Sequence, residues 1–146
     1  MQRTLAVLTR SIVVASVAAL LLFTWGLTGP GKLTAGGVPE WFSGQFGQTF
    51  LARFPGLAAS YYSIALLETV GAILAAGALL RGEWLPGRSA FVLRLALAHS
   101  LLVFVQLGFG KRLVSDHDGA HDLFMYAAAA LVMLLAVDRL DERQGK

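Results

Sequence analysis

Four long apolar runs, each almost free of charged residues, constrain this chain more than any other feature of its sequence. A helix that crosses the hydrocarbon core of a bilayer needs about 20 mostly apolar residues. The runs that meet this requirement cover about 11–28, 60–80, 89–109 and 120–137. They do not alternate between polar and apolar residues, and lipid requires backbone hydrogen bonds to close within the spanning structure. The sequence therefore predicts an all-α integral membrane protein, a bundle of four transmembrane helices.

The composition agrees with an outer surface that faces a lipid bilayer. Hydrophobic residues make up 56% of the 146 residues and charged residues only 14%, whereas a soluble domain carries about 25% charged residues. The length fits a single membrane domain over 1–146. Cysteine is absent, which excludes disulfides, thiolate nucleophiles and sulfur-ligated metals.

The basic residues predict topology rather than nucleic-acid binding, because they flank the apolar runs. With a cytoplasmic N-terminus, the inner flanks would hold seven of them: Arg3, Arg10, Arg81, Arg88, Arg139, Arg143 and Lys146. The outer flanks would hold four: Lys32, Arg53, Lys111 and Arg112. Because short cytoplasmic loops carry the excess of basic residues, both termini are predicted to be cytoplasmic.

The N-terminal segment could be a signal peptide or a first transmembrane helix. Its uncharged run extends from Ser11 to Gly31, which exceeds the roughly 7–15 residues of a signal-peptide core. We therefore predict an uncleaved first helix that ends before Gly29-Pro30-Gly31, a sequence that breaks helices.

The first loop contains a phenylalanine at every fourth position. These residues are Phe42, Phe46, Phe50 and Phe54. Their spacing predicts a short amphipathic helix at the membrane surface over about 39–54. This segment could be a flap over the mouth of the bundle, or it could simply pack at the interface.

Glu68 is the most informative polar residue, because it lies inside the second apolar run. A charged side chain at that depth costs about 3 kcal/mol, so Glu68 should face the bundle interior. His99 is predicted at a similar depth on the next helix, and the two could form a catalytic acid–base pair. Gln106 could extend this polar line and bind a ligand. The alternatives are a structural hydrogen bond for Glu68 and a backbone carbonyl partner for His99.

A second polar cluster lies at the entrance to the fourth helix. His117 and His121 are four residues apart, as are Asp118 and Asp122, a spacing that places each pair on one helix face and suits a divalent metal. Asp118 could equally cap the helix, and without a third spaced ligand the capping interpretation is favoured. Tyr126 follows one turn later and is predicted to point towards the bundle centre as a ligand contact.

Two segments together suggest a family. The first helix ends in TWGLTGPGKL (24–33) and the second contains LETVGAIL (67–74). These are similar to the small-residue-plus-lysine ending and the glutamate-glycine helix of the DoxX-like family. The resemblance carries over Lys32 and Glu68. It implies a four-helix protein of the bacterial cytoplasmic membrane that serves as a subunit of a quinone-linked redox system.

Three functions follow as hypotheses. The first is a quinone-binding redox subunit in which Lys32, Glu68 and His99 line a polar pocket, with Glu68 and His99 handling protons. The second is a non-catalytic accessory subunit of a larger membrane complex. The third is a binder of a small lipid-like molecule. The quinone would be bound non-covalently, and the expected partners are the bilayer and other membrane subunits, not nucleic acid.

Overall fold

Helices are the only regular secondary structure over the residues that the computed structural model describes, 2–144, with side chains over 4–142. The elements are α1 (Gln2–Thr34), α2 (Glu40–Phe46), a 3-10 turn (Phe50–Ala52), α3 (Leu57–Leu80), α4 (Phe91–Leu113) and α5 (His117–Gln144). Within this range α1, α3, α4 and α5 are long and apolar enough to cross a membrane. The predicted all-α bundle with four spans is therefore confirmed, and the chain is a multi-pass membrane protein. Of the residues counted for topology, the side chains of Arg3 and Arg143, and all of Lys146, lie outside the described part.

The hairpin of α3 and α4 forms the centre of the bundle. α1 packs mainly on α3, α5 packs mainly on α4, and α1 and α5 touch each other only slightly. The first loop (35–56) and the turn at 114–116 lie at one end of the bundle, here called the loop end. The turn at 81–90, the N-terminal end of α1 and the C-terminal end of α5 lie at the other end, here called the terminal end.

Glycine allows α1 and α3 to approach closely. A Cβ atom on buried Gly29 would lie only 2.5 Å from the backbone nitrogen of Thr69, and one on Gly71 would lie 2.9 Å from Trp25 Cδ1. Close backbone approach through small residues is one of the main ways in which helices associate in lipid. The α1–α3 contact therefore depends on these two glycines.

The prediction that α1 stops before Gly29-Pro30-Gly31 is wrong. The helix continues through Pro30 to Thr34, although a proline inside a helix removes one backbone donor. Gly29 packs on α3 just before the proline, and Lys32 is ion-paired with α3 just after it. These tertiary contacts outweigh the local breaking tendency. The helices α3, α4 and α5 are also longer than predicted.

The first loop forms two short elements rather than one amphipathic helix. α2 ends at Phe46, capped by Gly47, whose backbone N–H donates to Ser43 O at 2.8 Å, and the 3-10 turn follows. Phe42 and Phe46 are buried, whereas Phe50 and Phe54 are 53% and 77% exposed. Only the first half of the predicted helix therefore faces the bundle.

A buried arginine ties the terminal end together. The side chain of Arg10 is 1% exposed, and its Nη2 lies 2.6 Å from Asp141 Oδ1 on α5. The same guanidinium donates to the backbone carbonyls of Glu83, Leu85 and Arg88 in the α3–α4 turn. Arg10 therefore joins α1, this turn and α5, in addition to any effect on topology.

Two carboxylates at this end cap the start of α4. The buried side chain of Glu83 accepts hydrogen bonds from the N–H groups of Val92 and Leu93, each at 2.9 Å, and Asp141 Oδ2 accepts from Ala90 N–H at 2.8 Å. The first N–H groups of a helix have no partner within it, and carboxylates near a helix N-terminus are also favoured by the helix dipole. Glu83 and Asp141 thus fix where α4 begins.

Candidate functional site

An ion pair between α1 and α3, with a buried carboxylate and a half-buried lysine, is the centre of the candidate site. Lys32 Nζ lies 2.7 Å from Glu68 Oε1 and 2.6 Å from Oε2. The carboxylate side chain is 3% exposed and the lysine side chain 23%. An ionised carboxylate at this depth requires a compensating charge, and Lys32 supplies it. Lys32 is therefore partly accessible at the edge of the site, and the buried carboxylate of Glu68 fixes the position of its ammonium group.

The ion pair borders a cavity of about 320 Å³ at the loop end. A volume of this size lies at the lower end of the range for small-molecule sites. Its walls include four aromatic side chains, namely Trp41, Phe42, Phe46 and Tyr61. The rings of Phe42 and Tyr61 pack at 5.2 Å between centroids, which fixes α2 over the cavity. Besides these rings and several aliphatic residues, the lining carries the charged side chains of Lys32, Glu68 and Lys111 and the amides of Gln45 and Gln106.

Gln106 is one of those polar groups, and its amide orientation follows from its neighbours. Its Nε2 donates to Ser63 Oγ at 2.7 Å, and Ser63 Oγ donates its one proton to Ser60 O at 2.8 Å. Because the serine proton is already used, the amide nitrogen and not the oxygen must face Ser63. The oxygen Oε1 is buried and has no hydrogen-bond partner among the described residues. Gln106 lines the cavity, and its role as a ligand contact stays a prediction.

His99 is bonded to a backbone carbonyl, the stated alternative to a pair with Glu68. Its Nε2 lies 2.8 Å from the backbone oxygen of Leu67, and its ring lies beside Gly71. Glu68, one residue further along α3, is paired with Lys32 instead. The expected carboxylate–imidazole pair is therefore replaced by a Lys32–Glu68 pair and a histidine bonded to the backbone.

Tyr126 lies apart from the other predicted ligand contacts. It is 58% exposed and lines a separate cavity with Leu20, Thr24 and Met133, between α1 and α5. The prediction that it points to the bundle centre is wrong, because the face of α5 that carries Tyr126 borders the gap between α1 and α5. Tyr126 therefore belongs to a different part of the surface from Lys32 and Gln106.

The histidine and aspartate cluster at the start of α5 is organised around a helix cap. Asp116 Oδ1 accepts from Gly119 N–H at 2.9 Å, so the cap is Asp116 and not Asp118. Lys111 donates to the other oxygen at 2.7 Å. This hydrogen bond, followed by that from Gly119, lowers the pKa of the Asp116 carboxyl. Asp116 is therefore ionised in its capping role at neutral pH.

The metal candidates do not converge in the described part of the chain. No group of three or more histidine, aspartate or glutamate side chains there is placed to hold an ion. His121 Nδ1 lies 3.8 Å from Asp122 Oδ1, and His117 Nδ1 lies 2.6 Å from Arg112 Nη1. Asp118 is exposed in the first turn of α5.

Comparison with known proteins adds nothing to this geometry. No family model, no curated protein and no solved structure matches the chain. The resemblance to the DoxX-like family therefore stays a prediction, and the candidate site depends on the contacts described above.

Proposed function

We propose that the chain binds a quinone in the cavity at the loop end. The observation that carries this proposal is that Lys32, ion-paired with the buried carboxylate of Glu68, borders a cavity whose other walls include four aromatic side chains. Aromatic side chains stack favourably on planar rings. A lysine ammonium donates hydrogen bonds to carbonyl oxygens. A quinone head group combines a planar ring with two carbonyls, and so fits both features.

Lys32 is the proposed head-group contact. An ammonium group has three N–H donors, and the two Glu68 oxygens use two of them. The third remains for a carbonyl oxygen of the ligand. Glu68 positions Lys32 and supplies the negative charge that balances it within the membrane. His99 is bonded to the α3 backbone and takes no part in this contact.

We propose further that this binding serves a membrane redox system. This step depends on the resemblance to the DoxX-like family, which implies a subunit of a quinone-linked complex in the bacterial cytoplasmic membrane. The chain has no cysteine, so it brings no thiol redox centre of its own. Electrons would therefore come from, or pass to, another membrane subunit.

Loss of the ion pair should weaken quinone binding without unfolding the protein. In the double variant Lys32→Met/Glu68→Leu, apolar side chains replace both charges, a change that is often neutral for stability. A hydrogen bond to a charged group contributes about 1.5–3 kcal/mol, so the dissociation constant should rise roughly tenfold or more. Quenching of tryptophan fluorescence by a short-chain benzoquinone in detergent measures this directly, because Trp41 lines the cavity.

The matched control is Arg53→Gln, which removes an exposed charge in the same loop region. It should bind the benzoquinone as the wild type does. Equal affinity of the double variant and the wild type would remove the ion pair from the site. Tight binding of a single-chain lipid instead of the benzoquinone would favour the lipid-like ligand.

We propose that both termini are cytoplasmic, following the distribution of basic residues. A phosphatase reporter fused after Lys146 should be inactive, because such reporters need export to fold, and a green fluorescent reporter there should be bright. The opposite pair of signals would reverse the orientation and place the quinone cavity on the cytoplasmic side.

A further inference from the structure

A second cavity, between α4 and α5, has a polar mouth and an apolar interior. Its volume is about 410 Å³. At the mouth lie the side chains of Arg112, His117 and His121. The rest of the lining is mainly apolar: Phe104, Val105, Gly108, Leu123, Phe124 and Ala127. It shares only Leu123 with the cavity beside Lys32, so the two are separate sites.

The cavity extends from the loop end into the membrane-spanning part of the bundle. Phe104 precedes Arg112 by eight residues on α4, and Ala127 follows His117 by ten residues on α5. At 1.5 Å per residue these separations correspond to about 12 Å and 15 Å along the helices. A ligand that fills this space therefore has a polar group at one end and a long apolar part at the other.

The groups at the mouth favour an anion. Arginine can only donate hydrogen bonds, so His117 Nδ1 must accept from Arg112 Nη1, and the imidazole proton is on Nε2. Lys111, the neighbouring cation, is neutralised by Asp116 at 2.7 Å. Arg112 is paired with a neutral imidazole instead. Its charge and remaining N–H groups, together with His117 Nε2–H, are available to a ligand.

From this arrangement we infer that the α4–α5 cavity binds an anionic phospholipid. The phosphate lies against Arg112 and His117, because a guanidinium presents N–H groups in the geometry that a phosphate accepts. One acyl chain lies along the apolar lining between α4 and α5. His121, which lies 3.8 Å from Asp122 Oδ1, is at the rim of the mouth. The site is independent of the proposed quinone function.

The inference is tested by native mass spectrometry of the purified full chain in detergent. The protein is titrated with phosphatidylglycerol and with phosphatidylcholine that carry the same acyl chains. We expect phosphatidylglycerol to bind about tenfold more tightly, and Arg112→Gln to remove that difference, since it deletes the charge-assisted hydrogen bonds. Arg53→Gln, an exposed arginine of the first loop, should keep the difference.

Gly108→Leu tests the acyl-chain part of the site. A Cβ atom on Gly108 would meet no atom within 4 Å, so the leucine side chain can enter the cavity without a backbone clash. Because leucine also favours a helix over glycine, this variant should fold normally. We expect it to lose the tight phosphatidylglycerol binding.

Three results would overturn the inference. One is equal binding of the two lipids to the wild type. Another is a phosphatidylglycerol preference that survives both Arg112→Gln and Gly108→Leu. The third is full competition by glycerol 3-phosphate at the concentration of the lipid, because that would identify a site for a free phosphate group and not for a phospholipid.

Discussion

Replacement of Arg10 by methionine is expected to lower the free energy of unfolding by about 3–5 kcal/mol, the usual effect of breaking a buried ion pair by removing one partner. Methionine fills much of the same space but donates no hydrogen bond. Asp141, which is itself largely buried, would lose its nearest cation and keep only Arg94, whose Nη2 lies 3.9 Å from Asp141 Oδ2. The backbone carbonyls of Glu83, Leu85 and Arg88 would lose a shared donor. The terminal end should therefore loosen first.

Thermal unfolding in detergent, followed by circular dichroism, measures the effect of Arg10→Met. Arg139→Met is the matched control, because Arg139 is an exposed arginine on α5 near the same end. The double variant Arg10→Met/Asp141→Leu should recover part of the loss, since no unpaired carboxylate remains. Recovery should be incomplete because Ala90 N–H also loses its acceptor. Equal melting temperatures for Arg10→Met and Arg139→Met would contradict the structural role of Arg10.

Replacement of Gly29 by alanine is the second large effect that we expect. The new Cβ would lie 2.5 Å from Thr69 N and 2.8 Å from the carbonyl carbon of Glu68, and backbone atoms cannot move aside as a flexible side chain can. Overpacking of this kind costs about 1–3 kcal/mol. α1 would be pushed away from α3, and Lys32 would be displaced from Glu68. Benzoquinone affinity should therefore fall together with stability.

Gly31→Ala is the control for this substitution, two residues further along the same helix. Nothing lies within 4 Å of its Cβ position, and alanine is more favourable than glycine in a helix by about 0.5–1 kcal/mol. Gly31→Ala should therefore be neutral or slightly stabilising in the same unfolding measurement. If the two alanine variants behaved alike, the close contact at Gly29 would not matter for the fold.

The spans could be predicted from the sequence because length and low charge suffice for that purpose. Glu68 could be found for the same reason, since a carboxylate inside an apolar run needs a partner in the bundle. Its partner Lys32 was indicated only by the family resemblance, because Gly29-Pro30-Gly31 suggested that the helix had already ended. Nothing local to that segment shows that contacts with α3 hold it helical.

The orientation of each helix about its axis could not be predicted in the same way. α3 is apolar on nearly every side, so its sequence shows little difference between the face towards lipid and the face towards the bundle. Tyr126 on α5 was placed at the centre only from its position one turn after Asp122, and His99 was assigned to Glu68 on depth alone. Arg10 directly precedes the first apolar run, so in the sequence it resembles a topology-determining charge. Its contacts with Asp141 and the α3–α4 turn are visible only in the folded structure.

The most direct test of the central claim is mass spectrometry of the small molecules that stay bound to the purified chain in mild detergent. We expect roughly one quinone per wild-type chain, as a single pocket of this kind implies, and none on Lys32→Met/Glu68→Leu. A quinone retained equally by both proteins would place it outside this cavity. A wild-type chain that carries no quinone and copurifies only with larger subunits would contradict the proposal and favour an accessory role.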